Sequence, residues 1–184
     1  MYLRPNAAIV QLGDNISAVR KVKAEAAAAI TALQRVIADR SLQGDGFNAL
    51  REKLEGFDLR LLKGLHSLCG EQETRYRWHQ NSISSRFWGC SEVNSYSIQA
   101  QMQSVNAQIQ RVVDLATAEG WLNLATLGAW SYYSLRQTYR TLEEKLEQLY
   151  QCDWETGALY ETNIAIVECL NEGIQYINSM YYDP

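Results

Sequence analysis

The stretch Ile30-Thr31-Ala32-Leu33-Gln34-Arg35-Val36-Ile37-Ala38-Asp39-Arg40-Ser41-Leu42-Gln43-Gly44-Asp45-Gly46-Phe47-Asn48-Ala49-Leu50 decides the fold. Its first part closes one long helical pattern, its middle breaks that pattern at Leu42-Gln43-Gly44, and its last part opens another. Upstream, Ile9, Leu12, Ile16, Val19, Ala26, Ile30, Leu33 and Ile37 recur at three-four spacing with only Lys23 interrupting, which draws one apolar seam along a helix. From Asn6 to Arg40 that helix spans about 50 Å. Downstream, Phe47, Leu50, Leu54, Phe57, Leu61, Leu65 and Leu68 make a second seam. So short a connection forces the two helices antiparallel, seam against seam, as a long αα-hairpin.

Working outward, the second helix runs on to about Ser82 through Gly64 and Gly70, each costing about 1 kcal/mol relative to alanine and marking a possible bend. Arg86 to Cys90, with Gly89, reads as the next connection. A third helix from Ser91 to Gly120 carries Ile98, Met102, Val105, Ile109, Val112 and Ala116. Gly120 to Arg136 holds no charge between its ends but many aromatics, and reads as an irregular connection. Its aromatics, Trp121, Trp130, Tyr132 and Tyr133, are expected to pack on the core, the other reading being an exposed contact patch. From Ser134, Leu135, Tyr139, Leu142, Leu146 and Leu149 build a fourth helix. Asp153 reads as the N-cap of a fifth, with Tyr160, Ile164, Val167, Leu170, Ile174 and Ile177 as its seam. The two prolines, Pro5 and Pro184, stand at the extremes, and no sustained period-two alternation suggests a sheet. The fold class is therefore all-α: an elongated antiparallel helical bundle of about five helices in a single domain, residues 1–184.

Composition narrows function mainly by exclusion. With 47% apolar and 21% charged residues the chain is ordinary for a folded domain, and no apolar run approaches the ~18 residues of a membrane span. Neither is a classical signal peptide present at the N-terminus. A net charge of −4 argues against nucleic acid, which needs a basic surface to release counterions. Cys69, Cys90, Cys152 and Cys169 could pair in three ways but read more simply as reduced, small apolar groups. His66 and Cys69 share a helix face, yet two ligands do not close a metal site, so no metal and no other cofactor is expected. Asp153, Glu155 and Glu161 read as helix-capping charges, not an acid/base pair. With neither a phosphate-cradling glycine loop nor a nucleophile elbow, there is no candidate catalytic residue.

The long first helix, Leu42-Gln43-Gly44, the aromatic Phe47, and Leu61-Leu62-Lys63-Gly64-Leu65 on the next helix together resemble an LXG domain, the N-terminal part of polymorphic toxins exported by type VII secretion in Gram-positive bacteria. The resemblance extends to Glu144-Lys145-Leu146-Glu147-Gln148-Leu149 followed by Cys152-Asp153-Trp154-Glu155-Thr156 and Leu159-Tyr160. Three other Leu-x-Gly triplets occur, so position selects the signature: Leu42 plugs the hairpin end and Gly44 takes a backbone conformation other residues resist. The resemblance implies a non-catalytic targeting module used in interbacterial competition. Small helical WXG-like partner proteins would pack along it in the cytoplasm, and the complex would leave through the type VII machinery, with the killing domain lying outside this sequence. Tyr139 and Glu143 have the Tyr-x-x-x-Asp/Glu spacing of an export signal in such systems, although Tyr139 also falls on the helix-four seam. Beside its seam the first helix carries Val10, Val22, Val36 and the alanine-rich Ala24 to Ala29, an apolar face wider than one neighbour needs and the expected partner-binding surface. The competing class is an unrelated helical chaperone or coiled-coil assembly factor.

Overall fold

The computed structural model describes residues 1–41, 43–118 and 127–182. Of these, 90% are helical. Helix α1, Pro5–Ala38, starts with proline at its first position, where the fixed φ suits the helix and the missing N–H would have no partner anyway. Helix α2, Asp45–Lys53, passes through a π-helical turn, Leu54–Asp58, into α3, Leu59–Arg86. Helix α4 covers Ser95–Ala118 and α5 covers Leu127–Tyr182. The only strands among the described residues are β1, Tyr2–Leu3, and β2, Val93–Asn94, which pair antiparallel with Tyr2 opposite Asn94 and Leu3 opposite Val93.

The chain divides into two compact units. One comprises Met1–Ala8 with Ile83–Glu155, the other Ile9–Ser82 with Thr156–Pro184, and α1, α3 and α5 contribute to both.

In the second unit the hairpin register is fixed by polar contacts along its length. Gln80 donates to the Ile9 carbonyl at 3.0 Å, and Glu73 accepts from Arg20 at 2.8 Å with Lys23 at 3.7 Å, so α1 and α3 run antiparallel. Helix α5 runs antiparallel to α3 by the same logic: Thr156 meets His79 at 2.8 Å, Asn163 donates to Tyr76 at 2.7 Å, and the Phe57 and Tyr176 rings meet at a tilt, their centroids 4.9 Å apart. Leu12, Ile16, Ala26, Leu59, Cys69 and Leu159 supply its buried apolar residues.

The first unit is built on α4 and the first part of α5, tied down by the chain start. The Met1 amine donates to Ser95 Oγ at 2.7 Å while the Ser95 N–H donates to the Met1 carbonyl at 3.0 Å. Asn94 caps α4, its side chain accepting the Tyr96 N–H at 3.0 Å. Ile83, Phe87, Val93, Ile98, Ile109, Leu149 and Cys152 are buried.

Three expectations need correction. First, the seam through Phe47 and Leu50 does not continue into α3. A π turn holds an extra residue per turn, so it rotates what precedes it off the downstream seam. Helix α2 consequently has no buried residue, and Phe47 and Leu50 are exposed. The irregularity sits around Gly56, not at Gly64 or Gly70.

Second, Asp153 caps nothing: α5 runs through it without a break, and helices four and five of the sequence reading are one. Buried Leu149, Cys152 and Leu159, with Glu155, whose side chain is buried, and half-buried Thr156, continue a three-four seam across the supposed boundary. Residues 127–136 likewise belong to α5, while 119–126 lie outside the described residues.

Third, Tyr160, Ile164, Val167 and Ile174 are not the inner seam of this last segment. They are exposed, and the buried or half-buried apolar residues are Leu159, Ile166 and Leu170. The side chain of Ile177 lies outside those described.

Candidate partner-binding surfaces

Leu42 lies outside the described residues, but its neighbours define the hairpin tip. The Asp39 carboxylate accepts the Ser41 N–H at 2.8 Å, and hydrogen bonding from Ser41, its side chain first and its N–H second, holds it below its ordinary pKa. Gly44 then takes φ 120°, a region hostile to L side chains, and its carbonyl accepts the Asn48 N–H at 3.1 Å to start α2. Phe47 follows at the tip as an exposed ring.

On α1 the three proposed contact residues are open to solvent: Val10 is 64%, Val22 41% and Val36 47% exposed. At about 100° per residue Val22 and Val36 lie within roughly 40° of each other, while Val10 lies about 80–120° further round. The helix thus presents Val22 and Val36 as one face with Val10 apart from it. Tyr139 and Glu143 stand one turn apart on α5, the ring half-buried and the carboxylate exposed.

Further apolar surface is open, and at Trp130 and Tyr133 it is the exposed patch that the sequence offered as the other reading. In the first unit Trp88, Tyr96, Trp130, Tyr133 and Trp154 are all exposed, so Trp130 and Tyr133 are surface aromatics and not core, while Tyr132 is half-buried. Trp88 projects from the tight turn after α3, where Cys90 N–H bonds the Phe87 carbonyl at 3.0 Å and Gly89 takes φ 73°. Trp154 sits two residues beyond buried Cys152, a polar-face position by periodicity, and that mismatch was the available signal. In the second unit the outer stripe of α5 is open in the same way.

Arg86 makes a bidentate pair with Glu155 at 2.8 and 2.9 Å, and the carboxylate raises the arginine further above its ordinary pKa. Glu73 is held below the usual carboxylate range, first by the hydrogen bond from Arg20. Burial pushes the Cys69 thiol up, which suits an unreactive packing group.

Between α3 and α5 runs a polar row of Gln72, Tyr76, His79, Thr156 and Asn163, in which both Gln72 side-chain polar atoms are buried with no hydrogen-bond partner among the described residues.

Among the described residues no group of three His, Cys, Asp or Glu side chains could hold a metal ion. No described helix is long and apolar enough to cross a membrane. Comparison with protein-family models, curated proteins and solved structures gives no match.

Proposed function

We propose that this chain is the non-catalytic targeting domain of a type VII secreted antibacterial toxin, an LXG-like module that small helical WXG-like partners load before export. The observation that carries the reading is the open apolar face of α1. Val22 and Val36 stand exposed along a helix whose opposite side is already engaged by α3, leaving a surface suited to an amphipathic helix laid alongside. The glycine-defined tip with exposed Phe47 is consistent with the Leu42-Gln43-Gly44 signature. On this reading the protein is loaded in the cytoplasm and then secreted without a classical signal peptide, the toxic activity residing in a domain outside these residues.

The test is affinity capture of a tagged copy from a Gram-positive cytosol followed by mass spectrometry, paired with a secretion assay in a strain lacking the type VII ATPase. The expected result is small helical proteins at fixed stoichiometry, lost in the Val22→Glu, Val36→Glu double variant at unchanged helicity, and export that depends on the ATPase. Capture retained by the double variant would overturn the assignment of the face. Export indifferent to the ATPase would overturn the targeting role and favour a general helical assembly factor.

A further inference from the structure

We propose that α5 carries a self-association stripe, Tyr160, Ile164, Val167 and Ile174, through which two copies of this chain pair in parallel with Asn171 facing Asn171. The four side chains are 51%, 59%, 55% and 51% exposed. They are not needed inside the unit. The side of α5 that meets α3 carries Leu159, Asn163 and Gly173, and a Cβ on Gly173 would come within 3.0 Å of Leu61 Cδ1. The outer stripe is centred about 100° round the helix from that contact.

With Asn171 included, the stripe reads 160, 164, 167, 171, 174, a four-three-four-three spacing. That is a heptad seam with Ile164 and Asn171 at a, and Tyr160, Val167 and Ile174 at d.

Two arguments commit the surface to a second copy in parallel. An asparagine at an a position is costly against an apolar neighbour but satisfied by its own symmetry mate, because parallel pairing stacks a on a. Antiparallel pairing would instead set a against d and face Asn171 with Tyr160, Val167 or Ile174, none of which offers the second carboxamide that satisfies both its donor and its acceptor. The flanking charges agree: Glu161 and Glu168 are exposed at e, and antiparallel helices would juxtapose them, whereas parallel helices place e beside g, where Asn163 and Leu170 carry no charge. The area sets the strength. Four half-exposed side chains over about 21 Å of helix fall short of the ~800 Å² per partner of a standard stable interface, so the dimer forms in the micromolar range or weaker.

Sedimentation equilibrium on the full chain, from low to high micromolar, is expected to show a reversible monomer–dimer equilibrium. Ile164→Glu should weaken it roughly tenfold or more by placing a charge in the seam. Circular dichroism checks that the variant keeps its helix, with Val167→Lys as a second probe. In a Cys169→Ser background, Asn171→Cys should be joined to itself by a short thiol crosslinker, and Ala165→Cys, on the far side of the helix, should not. A monomer at all concentrations, equal crosslinking at 165 and 171, or a dimer untouched by Ile164→Glu would each overturn the proposal. These outcomes are independent of partner capture through α1, so either reading can fail without the other.

Discussion

A carboxylate that is almost wholly buried must find its counter-charge inside the fold, and Glu155, with a side chain 6% exposed, finds Arg86 in two parallel hydrogen bonds. Removing one member leaves the other charge desolvated and unpaired, which costs more than the intact pair contributes. Glu155→Ala is therefore expected to destabilise the protein by about 3 kcal/mol, the lower end of the range for broken buried pairs because Arg86 keeps some access to water. Urea unfolding followed by circular dichroism measures it, and a loss below the surface-pair range would show that the bridge is solvated. Glu73 makes a different prediction, about pH. Its folded pKa is depressed, chiefly by the hydrogen bond from Arg20, so its contribution is present above the unfolded carboxylate value and is lost as pH falls through the folded one. Glu73→Gln should lower stability at neutral pH and converge with the parent chain in acid. A gap that persists below the folded pKa would mean that packing, not charge, is what the substitution removes. Added salt should shrink the neutral-pH gap, because Arg20 and Arg77 around this carboxylate are half-exposed.

At the scale of the element, α5 separates two accounts of Asp153. Were it an N-cap, Asp153→Ala would cost about 0.5–2 kcal/mol. As an exposed residue in the middle of a continuous helix it should be neutral or slightly stabilising to alanine, and Asp153→Pro should cost about 3 kcal/mol or more by removing a helical hydrogen bond and clashing with the preceding turn. Thermal melts of the two variants decide it, and a drop with alanine would restore a helix boundary there. The same helix shows why part of the fold was legible in the sequence and part was not. Leu12, Ile16 and Ala26 of α1 announced their seam because that helix pairs apolar residues with a single strong period. In the last segment of α5 two apolar stripes compete, and the inner one is interrupted by Thr156 and Asn163, which meet His79 and Tyr76. A pattern reading chooses the more continuous stripe, and here the more continuous stripe faces water. Phe47 and Leu50 misled for another reason: nothing in the residue pattern marks the π turn that takes them off the seam. Of the candidate surfaces, Val22 and Val36 were legible as surplus apolar width on α1 and Trp154 as an aromatic at a polar-face position, whereas Trp88, in the turn after α3, required the backbone to show which way it points.

At the scale of the molecule, tryptophan provides a readout of whether these faces are covered. Trp78, Trp88, Trp130 and Trp154 are all exposed, Trp78 in the second unit and the others in the first, and Trp121 lies outside the described residues. An indole in water emits to the red and meets dissolved quenchers freely, whereas one packed in a core does neither. The free chain is therefore expected to emit close to the unfolded protein and to be quenched by acrylamide nearly as efficiently, although its helicity is intact. On the proposed reading, large aromatics left open in this number are surface that a partner protein covers. Binding of a helical partner should move the emission to the blue and protect a subset of the indoles. Replacing Trp78, Trp88, Trp130 and Trp154 by phenylalanine one at a time then identifies which of them the partner covers. Loss of the shift with Trp78→Phe places the covered surface in the second unit, which contains Val22, Val36 and the α5 stripe. Loss with Trp88→Phe or Trp154→Phe places it in the first unit, and the α1 face would then have to yield its role to the exposed aromatics of α5 and the turn after α3. A free chain whose emission is already blue and resistant to quenching would contradict the exposure of these four side chains, and with it the argument that this fold is completed by something it binds.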